Sequence, residues 1–435
     1  FHAAMEKKPA PPLHLDLRED VVDLETQFSP CNPPGPDAPD PHLPERDGFR
    51  EPSDPIDWPY LESLRDAFLD DFVFKYFRAE LIGAEKLPKE GPIIVAPNHS
   101  GNAFPHDAMV LDALLWRDQG YTKAAKFRSV YTPKLTAVWW MRPYGLDNWW
   151  RRMGGVDMTF ANFDRLLEGR EKVIYYPEGV AGIGKGFLRR YRLQHFHSSF
   201  TVLAARHHAP IFPVSIVNAE WINPTSITFP ALNRLVARLF GLPFFPVPIV
   251  FLALLFPFVF YLAFPARIFV CIGDPIDVRK LLREAGEDPD NPSREAFPRI
   301  AEEIRSRAQR NLEAAVARYG KRPYDLKRFA RAMRSIRGRI FRATPLGWPF
   351  TFLQHERDRK RPPARNRLHA FVRDLDVLAF YLPLGWLPIA LLRRLRKPPC
   401  GYRGLSKKER LEREGSYLWS LDTHPLPGPS RTTQP

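Results

Sequence analysis

Between residues 77 and 278, short apolar runs alternate with stretches of helical periodicity, and this alternation constrains the fold more than any other feature of the chain. The strand candidates are Ile93–Ala96, Lys172–Tyr176, Ile211–Val217 and Arg267–Ile272. The helix candidates are Ala108–Trp116, Ala161–Leu167 and Ser198–Arg206. Apolar runs of this length suit strands covered on both faces, so the pattern predicts an α/β domain with a largely buried sheet.

The flanks read differently. Residues 1–57 repeat Pro, Asp and Glu with little apolar periodicity and are expected to form a disordered arm. From Tyr60 to Glu80, Leu61, Leu64, Phe68, Phe72 and Tyr76 recur at helical spacing. Residues 293–319 form a second amphipathic pattern with Ile300, Ile304, Ala308, Leu312 and Val316 on one face. A very basic helix is expected at 326–342. The division is an arm at 1–57, an α/β domain at 58–285 that includes an apolar segment at 240–265, a helical extension at 286–397, and a polar tail at 398–435.

The 435 residues carry a net charge of +15, which points to an anionic partner: a membrane surface, a phosphorylated substrate or nucleic acid. Cys31, Cys271 and Cys400 offer no CxxC pair, so reduced thiols are expected. Residues 1–50 lack the apolar core of a signal peptide. His106, His195, His197, His207 and His208 show no zinc-ligand spacing, and no metal is expected.

Asn98-His99-Ser100-Gly101 follows the first apolar run directly, and Asp107 lies eight residues beyond His99. A neutral imidazole accepts a proton near pH 7, and a carboxylate can fix its tautomer. The turn-forming residues Gly101 to Pro105 can loop the chain so that Asp107 reaches the ring. Two plainer readings stand beside this one. His99 could be a buried histidine bonded to backbone, and Asp107 could be the N-cap of the helix starting at Ala108. No Gly-x-Ser-x-Gly elbow occurs, which favours direct attack by an acceptor hydroxyl over a covalent serine intermediate. Backbone N–H groups near Gly101 or Gly179 are the candidates to hold a developing oxyanion.

Further blocks follow in order: Gly154-Gly155-Val156, then Val173-Ile174-Tyr175-Tyr176-Pro177-Glu178-Gly179, then Ala209-Pro210-Ile211-Phe212-Pro213-Val214. With the His99 block, this series resembles the phospholipid/glycerol acyltransferase superfamily over roughly residues 77–278. The segment from Gly184-Lys185 through Arg190-Tyr191-Arg192 to Phe196 looks like a membrane-bound subgroup of it. The family's usual motif puts Asp five residues after His, where this chain has Phe104. The Gly155 block also lacks an arginine often found a few residues on.

The resemblance implies an acyltransferase-like mixed sheet flanked by helices; the residue pattern itself adds the expectation of an apolar membrane-associating hairpin and a helical C-terminal extension. It implies His99 as general base with Asp107, and substrate contacts at Asn98, Gly155, Glu178, Gly179, Lys185, Arg190 and Tyr191. It implies an acyl-CoA or acyl-carrier-protein thioester as donor, a glycerol-phosphate, lysophospholipid or related lipid as acceptor, and no cofactor. Read from the residues alone, Glu178 is equally an ordinary turn residue, and Lys185 with Arg189, Arg190 and Arg192 a solvated charged loop.

No charged residue occurs between Arg238 and Arg267. Length allows a bilayer span, but prolines at 243, 246, 248 and 257 argue against one straight helix. The strand candidate after it has to return to the same domain. A hairpin bent near Pro257, re-entrant or interfacial, meets both conditions; a buried apolar layer is the alternative. The basic helix and the apolar stretch Val377–Leu392, which ends at Arg393-Arg394-Leu395-Arg396-Lys397, suit the cytoplasmic face of an anionic membrane. A nucleic-acid-binding protein and a catalytically silent membrane scaffold are the competing functions. No nucleic acid is expected, because no reading motif accompanies the cations.

Overall fold

The computed structural model describes residues 56–100, 104–123, 126–131, 149–240, 246–360 and 366–395. Nearly all of the proline-rich arm, Gly101, the tail from residue 398, Cys31 and Cys400 lie outside the described residues. In chain order the strands are β1 (Glu80–Ile82), β2 (Ile93–Pro97), β3 (Arg128–Tyr131), β4 (Val156–Asp157), β5 (Lys172–Ile174), β6 (Ile211–Val217), β7 (Ser226–Ile227), β8 (Val247–Pro248) and β9 (Phe269–Ile272). Seven of them form one sheet in the order β1-β9-β6-β2-β5-β3-β4, and β7 pairs with β8 in a small antiparallel ribbon.

The five strands β6, β2, β5, β3 and β4 run parallel. β9 is antiparallel to β6, and β1 is parallel to β9. The sheet is therefore mixed and its middle is covered on both faces. Along β2, Ile93 and Val95 enter one apolar cluster while Ile94 and Ala96 enter the other. This period-2 division of an unbroken apolar run is what a strand between two helical layers requires.

The helix Ala296–Tyr319 covers one face with Ile300, Ile304 and Leu312. On the other face, the helix Trp58–Leu64 continues through widened turns to Tyr76 and packs on the helix Trp348–Lys360. Phe68 meets Phe352 at 4.4 Å between ring centroids, and Phe72 meets Trp348 edge-on at 4.6 Å. Residues from both sides of position 286 thus share the same two cores.

Two expected elements take a different form. The basic stretch 326–342 is not one helix: Leu326–Ser335 ends at Ile336, and a turn precedes Ile340–Ala343. Gly338 lies in the interruption, where the lack of a side chain disfavours helix. The apolar segment is a seven-residue helix, Ile249–Leu255, followed by extended Phe256 and a tight turn at Pro257–Tyr261. Proline at 257 stops the helix because it cannot donate to the preceding turn. No helix among the described residues is long and apolar enough to cross a membrane. β9 then rejoins the sheet beside β6, so the intervening chain leaves and returns on one side.

Candidate active site

The site lies at the carboxyl ends of β2, β5 and β6, where loops of a parallel sheet converge. β2 delivers Asn98 and His99, β5 delivers Tyr176 and Glu178, and β6 delivers Asn218 and Glu220. The helix that follows β2 is His106–Asp118. It begins with Pro105 at the cap, so Asp107 stands inside the first turn rather than at the N-cap. There the macrodipole favours a negative charge.

His99 Nδ1 lies 3.0 Å from Asp107 Oδ2. The same oxygen accepts the Ser100 N–H at 3.0 Å, and Oδ1 accepts the Ala108 N–H at 2.9 Å. Burial pushes the Asp107 carboxyl up, but His99 and these N–H groups outweigh it and hold the group below its ordinary value. An ionised Asp107 selects the tautomer with the proton on Nδ1. Nε2 is then an acceptor, and it makes no hydrogen bond among the described residues. The His99 side chain keeps 9% of its surface exposed.

Tyr176 stacks on the His99 ring, with centroids 3.9 Å apart and planes tilted by 15°. Its hydroxyl is buried without a hydrogen-bond partner among the described residues, and burial holds the phenol protonated by raising it well above its ordinary value. Glu178 reaches back across the strand ends. Its Oε1 accepts the main-chain N–H of His99 at 2.9 Å, and its Oε2 accepts that of Gln194 at 2.7 Å. The short helix Gly179–Gly184 closes over this pair. A Cβ at Gly182 would stand 2.6 Å from Glu178 Cβ and 2.9 Å from His99 Cβ, so only glycine permits this approach.

Lys185 is fully buried between two carboxylates, 3.9 Å from Glu178 Oε2 and 3.7 Å from Glu220 Oε1. Burial pushes Glu220 up to about 7, with Lys185 opposing the shift. Lys185 is therefore separated from the cationic cluster expected around it. Arg190 and Arg192 are exposed, and Arg190 lies over the Phe187 and Trp221 rings.

The remaining expected contacts are used within the protein. The Asn98 amide exchanges hydrogen bonds with the backbone of Ile216, at 3.2 and 2.7 Å, and so extends the β2–β6 ladder. Tyr191 donates its main-chain N–H to Glu220 and its hydroxyl to Asn218. The Gly179 N–H is donated to the Tyr176 carbonyl, which removes it as an oxyanion donor. Gly155 stands at the start of β4 on the sheet edge, with β3 and β5 between it and β2. The Tyr131 ring fills the space a Cβ would take there, so its glycine serves packing. Among the described residues no group of three or more His, Cys, Asp and Glu is placed to hold a metal ion.

Sequence reasoning missed Tyr176 as the partner of His99, and it missed Glu220. A carboxylate three residues past a buried strand, on the same sheet edge as His99, was the available signal for Glu220.

A histidine paired with a buried carboxylate at the loop end of a mixed sheet, its far nitrogen without a hydrogen bond among the described residues, is an arrangement chemically able to accept a proton. The Acyltransferase family model matches residues 78–217, so this region of the chain is similar to that family. The uncharacterized protein Rv0502 of Mycobacterium tuberculosis is 32% identical over 223 residues, which is 50% of this chain and 58% of that protein. The uncharacterized protein ML2427 of Mycobacterium leprae is 31% identical over 227 residues, covering 51% of this chain and 57% of the relative. The chain thus spans somewhat more than half the length of these curated relatives. The crystal structure of the 1-acyl-sn-glycerophosphate (LPA) acyltransferase PlsC from Thermotoga maritima is similar with a TM-score of 0.32 and 18% identity, over 57% of this chain and 78% of that one.

Proposed function

We propose that the protein is a membrane-associated O-acyltransferase. It moves a fatty acyl group from acyl-CoA or an acyl-carrier-protein thioester to the hydroxyl of a glycerol-phosphate, lysophospholipid or related lipid alcohol at the cytoplasmic face. The observation that carries this reading is the 3.0 Å contact between His99 Nδ1 and Asp107 Oδ2, with Nε2 left open. The family match over the same residues supports the reaction class.

In this mechanism Asp107 holds the Nδ1 proton, and Nε2 takes the proton of the acceptor hydroxyl as its oxygen attacks the thioester carbonyl. The tetrahedral intermediate collapses by breaking the C–S bond. The thiolate leaves and takes the proton from the imidazolium, which restores His99. Asp107 stays ionised and stabilises the cation that forms between the two steps. The competing scaffold function drew its support from the longer His-to-Asp spacing, and the 3.0 Å contact supports the enzymatic reading despite that spacing.

The test is release of free thiol from long-chain acyl-CoA by purified protein, offered glycerol 3-phosphate and lysophosphatidic acid in turn. His99→Ala is expected to lower the turnover by about a hundred- to ten-thousand-fold, the range of a positioned general base. Asp107→Asn is expected to fall in the same direction. Equal rates for wild type and His99→Ala would remove His99 from the chemistry.

A further inference from the structure

Two uncharged stretches, far apart in the chain, lie side by side on the surface. The Leu384 N–H donates to the Leu255 carbonyl at 2.7 Å, and the Trp386 indole N–H donates to the Ala253 carbonyl at 2.6 Å. These bonds set the helix Ile249–Leu255 against the beginning of the helix Trp386–Leu395. Phe251, Leu252 and Leu254 are exposed on the first stretch, and Leu384, Leu387 and Leu391 on the second. Phe251 is 58% exposed and Leu387 69%. Single exposed leucines need no explanation, but a continuous cluster on adjoining elements marks an interaction surface.

Cations stand along the edge of this face. The Tyr381 hydroxyl donates to the Leu346 carbonyl, and its ring stacks between Phe258 and Phe350. Phe350 in turn lies 6.0 Å from Phe341 between ring centroids. The exposed Phe341 therefore borders the apolar face, on a segment that also carries exposed Arg337 and Arg342. Neither arginine has an ion-pair partner among the described residues.

The two helices have 7 and 10 residues. At about 1.5 Å per residue they fall well short of the roughly 30 Å hydrocarbon core. An apolar face on short helices, bordered by unpaired cations in a protein of charge +15, is complementary to the interface of an anionic bilayer rather than to its interior.

We propose that this face docks in the plane of an anionic lipid bilayer. Leu252, Leu254, Leu387 and Leu391 enter the boundary between headgroups and acyl chains, and Arg337 and Arg342 meet lipid phosphates. The turn Pro257–Tyr261, continuous with the first helix, packs Phe260 and Tyr261 against Phe104 at 6.0 and 5.2 Å. Phe104 lies in the connection between His99 and Asp107. Phe260 and Tyr261 thus connect the docking face to Phe104, three residues before Asp107. The surface itself stands independently of any chemistry at His99.

The test is sedimentation of the full chain with vesicles of phosphatidylcholine, with and without phosphatidylglycerol. Wild type is expected to bind the anionic vesicles and to release them as salt is raised. Leu254→Glu/Leu387→Glu, with an unchanged far-ultraviolet circular dichroism spectrum, is expected to lower the partition coefficient by about tenfold or more, because each charge must leave water. Arg337→Glu/Arg342→Glu is expected to lose the preference for phosphatidylglycerol while the apolar face stays intact, a loss of about tenfold or more for two reversed charges. His99→Ala is expected to bind as wild type does, so a failure of acyl transfer and a failure of docking are read separately. Undiminished binding by the leucine variant overturns the proposal. So does a wild type that dimerises without binding vesicles and becomes monomeric in that variant, which would make the face a contact between two copies of the chain.

Discussion

Glu178 holds the main-chain N–H of His99 with one carboxylate oxygen and that of Gln194 with the other, at 2.9 and 2.7 Å. This relationship gives the glutamate a structural task at the site: it ties the end of β2 to the chain beyond β5 and so fixes the backbone under the imidazole. Its side chain is wholly buried, and Lys185 is its charge partner.

Glu178→Ala leaves two N–H donors unsatisfied and removes one of the two carboxylates around a buried ammonium. Breaking a buried charged network in this way costs about 3–5 kcal/mol. A marked fall in the urea midpoint of unfolding is expected, with loss of activity following from the displaced His99. Glu178→Gln is expected to fall between, because a glutamine presents one accepting oxygen where two donors point. An alanine variant with the wild-type midpoint would show that the two hydrogen bonds carry no stability.

The stacking of Tyr176 on His99 leads to a separate expectation. When His99 takes a proton, an aromatic face at 3.9 Å is attracted to the cation that forms. That interaction is absent for the neutral ring, so it acts on the reaction rather than on acceptor binding. A contribution of about 1 kcal/mol corresponds to somewhat less than tenfold in rate. Tyr176→Leu is expected to lower kcat by about that factor with the acceptor KM unchanged. Tyr176→Phe keeps the ring and discards a hydroxyl that has no partner among the described residues, so it is expected to keep full turnover. A phenylalanine variant as slow as the leucine variant would assign the effect to the hydroxyl instead.

The strands β2, β5 and β6 were legible because each is an apolar run that needs two covered faces. β9 was legible for the same reason, with its start placed two residues early. β3 and β4 were not legible: Arg128 and Ser129 interrupt the first, and the second has two residues. The His99–Asp107 pair could be read because a turn-forming stretch separates its members. The burial of Lys185 could not be read that way. In the sequence it stands before three arginines and looks like part of a charged loop. It turns inward because the glycine-rich helix lies against Glu178, and because Glu220 arrives from the turn after β6, 35 residues further on (from Lys185 to Glu220). Such a pairing depends on topology rather than on local spacing.

The Lys185–Glu220 pair should make stability depend on pH in a window set by Glu220. Burial raises its folded value from an ordinary 4.5 to about 7. Between these values the folded protein holds a proton that the unfolded chain has released. Stability from this group is therefore complete below about pH 4.5 and is lost as pH rises through about 7. Two histidines act in the opposite direction. His106 is lowered by burial to about 4, and His197 is lowered as well. Their unfolded forms take up protons below the ordinary value of 6.5, so their contribution is lost as pH falls. Asp107, held below its ordinary value, loses its contribution only at still lower pH. The wild-type profile sums these opposing slopes, so the informative quantity is the difference from Glu220→Gln. Urea midpoints for both proteins from pH 5 to pH 8 are expected to diverge in favour of the glutamine variant as pH rises, and the gap should level off above pH 7. Parallel profiles would mean that Glu220 titrates in the folded protein much as it does in the unfolded chain.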